Sequence, residues 1–143
     1  MEMDSNRVRE RLFGPDGAPP PVTQTLGGRV ASLSDIVLES EYVGAPAFLN
    51  PAGHIQGGIL SAMLDDVTAL LVVSTLRDGE RCATLSLNTS FLRPAKAGKL
   101  QGRSTLVRRG RGVCNVSGEL WQDDKLVATA SAVCAIVSTG DAR

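Results

Sequence analysis

The chain has 143 residues, of which 15 are basic and 15 acidic, so its formal net charge is zero. A neutral chain has no broad basic field for non-specific binding to nucleic acids or anionic membranes, and its partners must be recognised locally. The length is typical of one domain that buries about two-thirds of its unfolded surface. Three scattered cysteines do not form a zinc motif, and their odd number leaves a thiol unpaired, which favours a reducing compartment.

The first 21 residues are charged and then rich in Gly and Pro. They contain no apolar core for a signal peptide, and they end in Pro19-Pro20-Pro21, which cannot join a helix interior or a central strand. We expect residues 1–21 to form a mobile arm with a short helix at most. Residues 22–143 are expected to form one domain. No segment is suited to cross a membrane, so we expect a soluble, cytoplasmic protein.

A first strand is expected within residues 36–43, and a turn-rich loop over residues 44–53 follows it. The long apolar segment after this loop has the period of a helix, and we expect that helix to run from about Gln56 to Leu76. At 1.5 Å per residue, it would be roughly 30 Å long and would cross a small domain.

Asp65 shares one face of this helix with small residues, whereas large aliphatic residues form a broad stripe beside that face. A carboxylate in such a place is costly to bury unless it is hydrogen-bonded or has a function, and small side chains let another backbone or a ligand approach. Asp65 is therefore the first functional candidate. An exposed helical acid is the alternative, and its neighbour Asp66 fits that alternative better.

Beyond Cys82 the apolar period changes from 3.6 to 2, which is typical of strands. Short turns separate the later segments, so neighbouring strands are expected to be antiparallel. The last strand is apolar or small on both faces and should be central or covered on both faces, and its small residues leave room for a helix across it. These strands are predicted at residues 84–91, 100–107, 113–121 and 126–137. One long helix on an antiparallel sheet of about five to six strands is an α+β arrangement.

The order of these elements, the motif Asn50-x-x-Gly53-x-x-Gln56-Gly57-Gly58 and an acid nine residues after Gln56 resemble the hotdog-fold thioesterases of the phenylacetate-degradation (PaaI-like) group. The likeness continues through residues 90–95 and 107–111 and covers roughly residues 25–137. It implies a central helix wrapped by a curled sheet. It also implies two subunits joined edge to edge as a homodimer or a dimer of dimers, with acyl-CoA thioesters hydrolysed at the interface and no cofactor or metal.

Hydrolysis of a thioester needs a donor for the carbonyl oxygen and a base or nucleophile for the carbonyl carbon. The N–H groups of Gly57 and Gly58, unpaired at a helix start, can supply the first, and Asp65 the second. The alternative for the glycines is a flexible helix start without a ligand. The side chain of Gln56 can add an amide N–H. The commonest family pattern has His where this chain has Gln56, so no imidazole is available at this position.

Further candidates come from the loop, a strand and a basic turn. Asn50 orients the attacking water or the loop before the helix, or else forms an ordinary Asx turn. His54 is a binding candidate, although a lone loop histidine is more often solvated or capping. Thr84 stands where the family often has Ser or Thr near the attacking water, and it also suits a plain strand position. The candidates for the CoA phosphates, or for a merely solvated turn, are Arg108, Arg109, Gly110 and Arg111.

Other functions stay open at this stage. A non-catalytic acyl-CoA-binding protein would account for Gln56, although retention of Asp65 argues against it. A dehydratase of hydroxyacyl thioesters pairs a His with an acid, and His54 is in the wrong register for that pairing. A Cys nucleophile is a weaker alternative than the dehydratase, because no His lies near Cys114 or Cys134 in sequence. A purely structural dimer is also possible. The preferred acyl chain and the tetramer geometry do not follow from the sequence.

Overall fold

The computed structural model describes residues 5–139. Three α-helices and six strands follow one another in this part of the chain: α1 (Ser5–Phe13), α2 (Pro21–Thr25), β1 (Arg29–Leu33), β2 (Val37–Gly44), α3 (Gly57–Val73), β3 (Glu80–Phe91), β4 (Gly98–Arg109), β5 (Val113–Gln122) and β6 (Lys125–Ser138). The strands form one antiparallel sheet in the order β1-β2-β4-β5-β6-β3, and α3 packs against it. The predicted α+β hotdog arrangement is confirmed.

The core lies between α3 and the sheet. The predicted aliphatic stripe of α3 is buried, with Leu60, Met63, Leu64, Val67 and Leu71 each at most 3% exposed. β6 pairs with β5 on one side and β3 on the other, so it is central as predicted. Its inward residues are small and buried, which leaves room for the helix above them: Ala128, Ala130, Ala132 and Cys134.

The N-terminal segment contributes to this core. The apolar residues Val8 and Leu12 of α1 are spaced by one helical turn and are both buried, and the guanidinium of Arg11 donates to the carbonyl oxygen of Ser74 at 2.9 Å. Helix α1 therefore packs on the domain, which differs from the expected mobile arm. The short strand β1, which the sequence did not indicate, pairs with β2. Residues 1–4 and 140–143 of the predicted segments lie outside the described residues.

The long helix begins where the sequence predicts and ends three residues early, at Val73 rather than Leu76. The hydroxyl groups of Ser74 and Thr75 donate to the carbonyl oxygens of Leu71 and Val72, at 2.6 and 2.7 Å. Side-chain bonds of this kind satisfy carbonyl groups that a helix end leaves free. Within residues 5–139, no helix combines the length and the hydropathy that a membrane span requires.

β3 forms one edge of the sheet and is twelve residues long. Its register with β6 shifts between Thr84 and Ser86, so Leu85 interrupts the strict alternation that the sequence predicted. Large apolar side chains are exposed along and just beyond this strand: Leu85 is 65% exposed, Phe91 51% and Leu92 50%. A long edge with apolar side chains is suited to pair with another chain.

Candidate active site

The start of α3 presents free backbone N–H groups. The carbonyl oxygen of Gln56 accepts from the N–H groups of Ile59 and Leu60, at 2.9 and 3.2 Å. In the described part of the chain, the N–H groups of Gly57 and Gly58 have no acceptor. A Cβ built on Gly58 would meet no atom within 4 Å, so the backbone is open to a ligand there. The helix dipole adds positive potential at this point.

The loop before α3 is fixed by Asn50. Its Oδ1 accepts from the N–H groups of Ala52 and His54, at 3.0 and 3.1 Å, and its own N–H donates to the carbonyl oxygen of His54 at 2.7 Å. This is an Asx-type turn, one of the two alternatives given by the sequence. The backbone N–H of Gln56 donates to Phe48 at 2.9 Å, while the Gln56 side chain is exposed.

A cavity of about 350 Å³ opens beside the start of α3. Its wall includes Asn50, His54 and Gly57, so the structure brings these three predicted site residues together. The ring of Phe91 forms another part of the wall, and its Cζ would lie 3.3 Å from a Cβ on Gly57. A side chain at position 57 would therefore press against the ring.

Asp65 and Thr84 meet between α3 and β3. The Thr84 hydroxyl donates to Oδ1 of Asp65 at 3.1 Å, and it also lies 3.8 Å from Sγ of Cys134. Asp65 is exposed in the single chain, so water reaches its carboxylate. The structure thus pairs two candidates that lie 19 residues apart in the sequence.

Gly57 and Asp65 are separated within one chain. Asp65 is eight positions after Gly57 in the helix, which corresponds to about 12 Å along the axis. A single carbonyl group cannot contact the Gly57 N–H and the Asp65 carboxylate across that distance. Within one described chain, the candidate groups at the start of α3 therefore lie apart from the Asp65–Thr84 pair.

Asp66 was expected to be the exposed acid of the pair, and this prediction is wrong. Asp66 is 9% exposed, and its carboxylate accepts from the hydroxyl groups of Tyr42 and Thr23, each at 2.7 Å. Burial raises the pKa of Asp66, and the two donated bonds counter part of that effect. The sequence did hold a signal, because Asp66 lies three residues after Met63 and four before Leu70, and both of these are buried.

The arginines of the basic turn between β4 and β5 differ in their environments. Arg109 is engaged: its Nη2 donates to Glu80 at 2.9 Å and its Nε to Thr75 at 3.1 Å. The pKa of Glu80 is lowered, first by the backbone N–H of Arg77 and also by the charges of Arg109 and Arg77. Arg108 and Arg111 are exposed.

Gly110 is required at this turn by space. A Cβ on it would lie 2.7 Å from the carbonyl oxygen of Val113, so any larger residue would displace the hairpin. Beside the turn is a cavity of about 370 Å³, lined by the sequence candidates Arg109, Gly110 and Arg111 together with Arg77 and Glu80. Arg77 is a residue that the sequence analysis missed, because it precedes β3 and approaches the turn only in the folded chain.

Comparison with known proteins identifies the family to which the chain belongs. The sequence model of the acyl-CoA thioesterase N-terminal domain matches residues 45–135. One similar crystal structure is that of a phenylacetic acid degradation-related protein from Ralstonia eutropha JMP134, which is provisionally named a thioesterase. Its sequence is 58% identical, and the match covers 90% of this chain and 98% of that chain, with a TM-score of 0.83.

Two more distant proteins agree. A protein of Haemophilus influenzae that is provisionally named an esterase is 25% identical over 99 residues, which is 69% of this chain and 68% of the relative. A thioesterase family protein from Silicibacter pomeroyi is 22% identical, covers 92% of this chain and 98% of its own, and has the same fold at a TM-score of 0.82. The chain therefore belongs to the hotdog-fold acyl-CoA thioesterase family, in its phenylacetate-degradation-related (PaaI-like) group.

Proposed function

We propose that this protein hydrolyses acyl-CoA thioesters to a free acid and CoA at a site shared between two copies of the chain. The observation that carries the proposal is the pairing of Asp65 with Thr84 on a solvent-accessible helix face, together with open N–H groups at the start of the same helix. Membership in the thioesterase family supports the reaction class.

The start of α3 stabilises the negative charge that develops on the thioester oxygen. Backbone N–H groups are suited to this because they are already oriented and do not need to reorganise during the reaction. Gly57 and Gly58 supply these groups without side chains that would block the approach, and the exposed amide of Gln56 adds a further donor.

Asp65 supplies the basic group. As a general base it takes a proton from water while the water oxygen forms a bond to the carbonyl carbon. The C–S bond then breaks, and the departing CoA thiolate takes up the proton. As a nucleophile, Asp65 would instead attack the carbon itself, break the C–S bond and release the CoA thiolate, which leaves a mixed anhydride. Water then opens the anhydride to the free acid and the Asp65 carboxylate, and the remaining proton of that water goes to the thiolate. Thr84 holds Oδ1 of the carboxylate, which leaves Oδ2 free for either role.

A second copy of the chain completes the site. The unpaired edge of β3 carries the exposed apolar side chains of Leu85 and Phe91, and pairing with a second β3 would cover them. In an interface with a two-fold axis, each contact occurs twice: a residue i of one copy contacts residue j of the other, and residue j of the first copy contacts residue i of the second. Gly57 of each copy would then lie near Asp65 of the other, which removes the separation of about 12 Å within one chain. We infer a homodimer, or a tetramer built from two such dimers.

The basic turn binds the nucleotide end of CoA. Thr75, which contacts Arg109, lies two residues beyond the end of α3, and that end is eight positions, or about 12 Å along the helix axis, from Asp65. Arg108 and Arg111 are exposed and suited to hold phosphate oxygens in paired hydrogen bonds. Arg109 is bound to Glu80 and is the weakest candidate of the three.

The test is a turnover assay with short, medium, long and aryl acyl-CoAs, in which a colour reagent detects the released thiol. The three free cysteines of the protein require a control without substrate. We expect release above the buffer rate for at least one acyl class, and loss of that release in Asp65→Asn. Binding of the same acyl-CoAs without any release would reject the proposal in favour of a non-catalytic acyl-CoA-binding protein, the function that Gln56 favours.

A further inference from the structure

Three buried hydrogen bonds fix the middle of α3 at the two residues that follow the proposed base. The carboxylate of Asp66 accepts from Thr23 on α2 and from Tyr42 on β2, each at 2.7 Å. The carbonyl oxygen of Val67 accepts from the hydroxyl of Ser104 on β4, also at 2.7 Å. The three donors are at most 1% exposed, so water does not compete for these bonds.

These bonds differ in kind from the other contacts between α3 and the sheet. Most of those contacts are apolar, through residues such as Leu64 and Leu71, and apolar packing selects a helix face without a sharp preference for one orientation. Hydrogen bonds depend strongly on distance and angle. Three of them, to donors on three different elements, restrict both the rotation of α3 about its axis and its sliding along the sheet.

The two hydrogen bonds on the other side of the helix, toward β3, are too weak to serve this purpose. Thr84 and Asp65 are joined by one bond of 3.1 Å between exposed groups, and Ser61 and Thr89 by one of 3.4 Å; both are long for a hydroxyl donor. The direction in which Asp65 points must therefore be set from the buried side of the helix.

The choice of an acid at position 66 also needs an explanation. Burial of a carboxylate whose hydrogen-bond partners in the described chain are two hydroxyl groups, with no cation, has a high desolvation cost. An apolar side chain would suit a position between the buried residues Met63 and Leu70, and such replacements of buried polar groups are often stabilising. A polar group at this position is better explained by the one orientation of α3 on the sheet that its hydrogen bonds require than by a gain in stability.

We propose that Asp66 is a positioning residue for Asp65, and that with its donors Thr23 and Tyr42, aided by Ser104, it holds α3 in the rotation that keeps Asp65 facing Thr84 and the reacting carbonyl. This inference rests on the proposed function, because it requires Asp65 to be the base. It also gives the N-terminal helix α2 a role in the reaction, although α2 precedes the residues that the family model matches.

Two variants remove single donors and keep the shape of the side chain: Tyr42→Phe and Thr23→Val. A misplacement of about 1 Å at a reacting group can lower the rate by up to about 10². We expect kcat to fall about tenfold in each variant and KM to stay within about twofold, because the substrate contacts are unchanged. Val8→Ala in α1 is the control, since it weakens the core away from this network, and its kcat should stay at the wild-type value when measured well below the melting temperature.

A double-mutant cycle separates positioning from general loss of structure. If the donors act through Asp65, Tyr42→Phe should lower kcat by less than about twofold in an Asp65→Asn background. The same tenfold loss in both backgrounds would overturn the inference, as would unchanged kcat in Tyr42→Phe and Thr23→Val. If Tyr42→Phe does not fold, Thr23→Val and Ser104→Ala complete the same cycle. Absence of thiol release by the wild type would reject the proposed function, and full activity of Asp65→Asn would reject Asp65 as the base. Inactive Asp65→Asn with fully active donor variants would reject only the positioning role.

Discussion

Thr84 of β3 donates a hydrogen bond to Asp65 of α3, and this contact joins the edge strand to the centre of the long helix. The hydroxyl occupies Oδ1 of the carboxylate, and Oδ2 has no hydrogen-bond partner among the described residues. The proposed base and the proposed dimer edge therefore belong to one local arrangement, and changes at either residue are expected to affect turnover.

Asp65→Asn is expected to lower kcat by about 10² or more, because it removes the basic carboxylate while keeping the shape of the side chain. Since Asp65 is exposed, the free energy of unfolding should change by less than about 0.5 kcal/mol. Steady-state kinetics and urea unfolding measure the two quantities. The matched control is Asp78→Asn, an exposed acid in the turn before β3. Asp66 cannot serve as this control because it is buried. Equal losses of kcat in the Asp65 and Asp78 variants would contradict the assignment.

Thr84→Val keeps the branched shape and removes the donor to Asp65. We expect kcat to fall by about tenfold, in the range of a lost hydrogen bond to a charged group, of roughly 1.5 kcal/mol. Thr84→Ser keeps a hydroxyl and should retain most of the rate. Thr105→Val on β4 is the control for the same chemical change at a distant strand position. Kinetics in which the Val and Ser variants behave alike would show that the hydroxyl of Thr84 has no role.

Arg111→Ala and Arg108→Ala are expected to raise KM for acyl-CoA more than they lower kcat, because a phosphate contact is present in both the ground state and the transition state. A pantetheine thioester without the nucleotide should not respond to either change. Arg109→Ala should instead lower the melting temperature, since it removes bonds to Glu80 and Thr75. Unchanged KM in both exposed-arginine variants, or an equal rise with the truncated substrate, would contradict phosphate binding at this turn.

A mixture of two defective variants tests the shared site. Asp65→Asn subunits and Gln56→Ala subunits are unfolded and refolded together, and mixed dimers are identified by mass spectrometry. Each mixed dimer should contain one site with both native groups and one with neither, so about half of its sites should work. A site built within one chain gives no recovery beyond the parent variants. A monomeric mass by light scattering would also exclude the shared site.

The buried acid predicts a pH effect on stability. Because burial raises the pKa of Asp66, the folded chain binds the proton more tightly than the unfolded chain. Its stabilising effect is complete below the pKa of an unfolded aspartate, about 3.9, and is lost as the pH rises through the higher pKa of the folded state. The groups that face it do not reverse this sign: burial also raises the pKa of Tyr42, which keeps its proton, and Asp65 adds negative charge.

Urea unfolding of the wild type and of Asp66→Asn between about pH 4 and pH 8 measures this effect. The stability of the wild type relative to the variant should fall as the pH rises, because the amide of the variant does not titrate. Glu41, whose pKa is lowered chiefly by its hydrogen bond with Arg29, works in the opposite direction, but it is present in both proteins and cancels in the difference. A difference that is constant with pH would contradict the raised pKa.

Most of the fold follows from periodicity. The apolar stripe of α3 and the alternation of β4, β5 and β6 are regular, and regular patterns identify elements without knowledge of their partners. β1 is only five residues long and follows two glycines, so it lacks such a pattern. The interruption at Leu85 depends on the register with β6, which no local pattern determines.

The site was predictable where it depends on local chemistry. Gly57 and Gly58 precede a helix, and Asp65 lies among small residues, so the sequence contains both signals. Asp66 differs because its donors are 43 and 24 residues away, so only the folded chain identifies its partners. Its burial, by contrast, is consistent with the helical period, because Met63 and Leu70 lie about one turn to either side of it and are buried.

The buried bonds of Asp66 have a consequence for where this domain can be cut. A fragment limited to residues 45–135, the range that the family model matches, would lack both hydroxyl donors of that carboxylate and the whole of β2. The edge of β4 would lose its eight aligned partners along β2, from Val37 to Gly44. Residues 5–44 thus belong to the cooperative folding unit, and the range that the family model matches is narrower than the range that folds together.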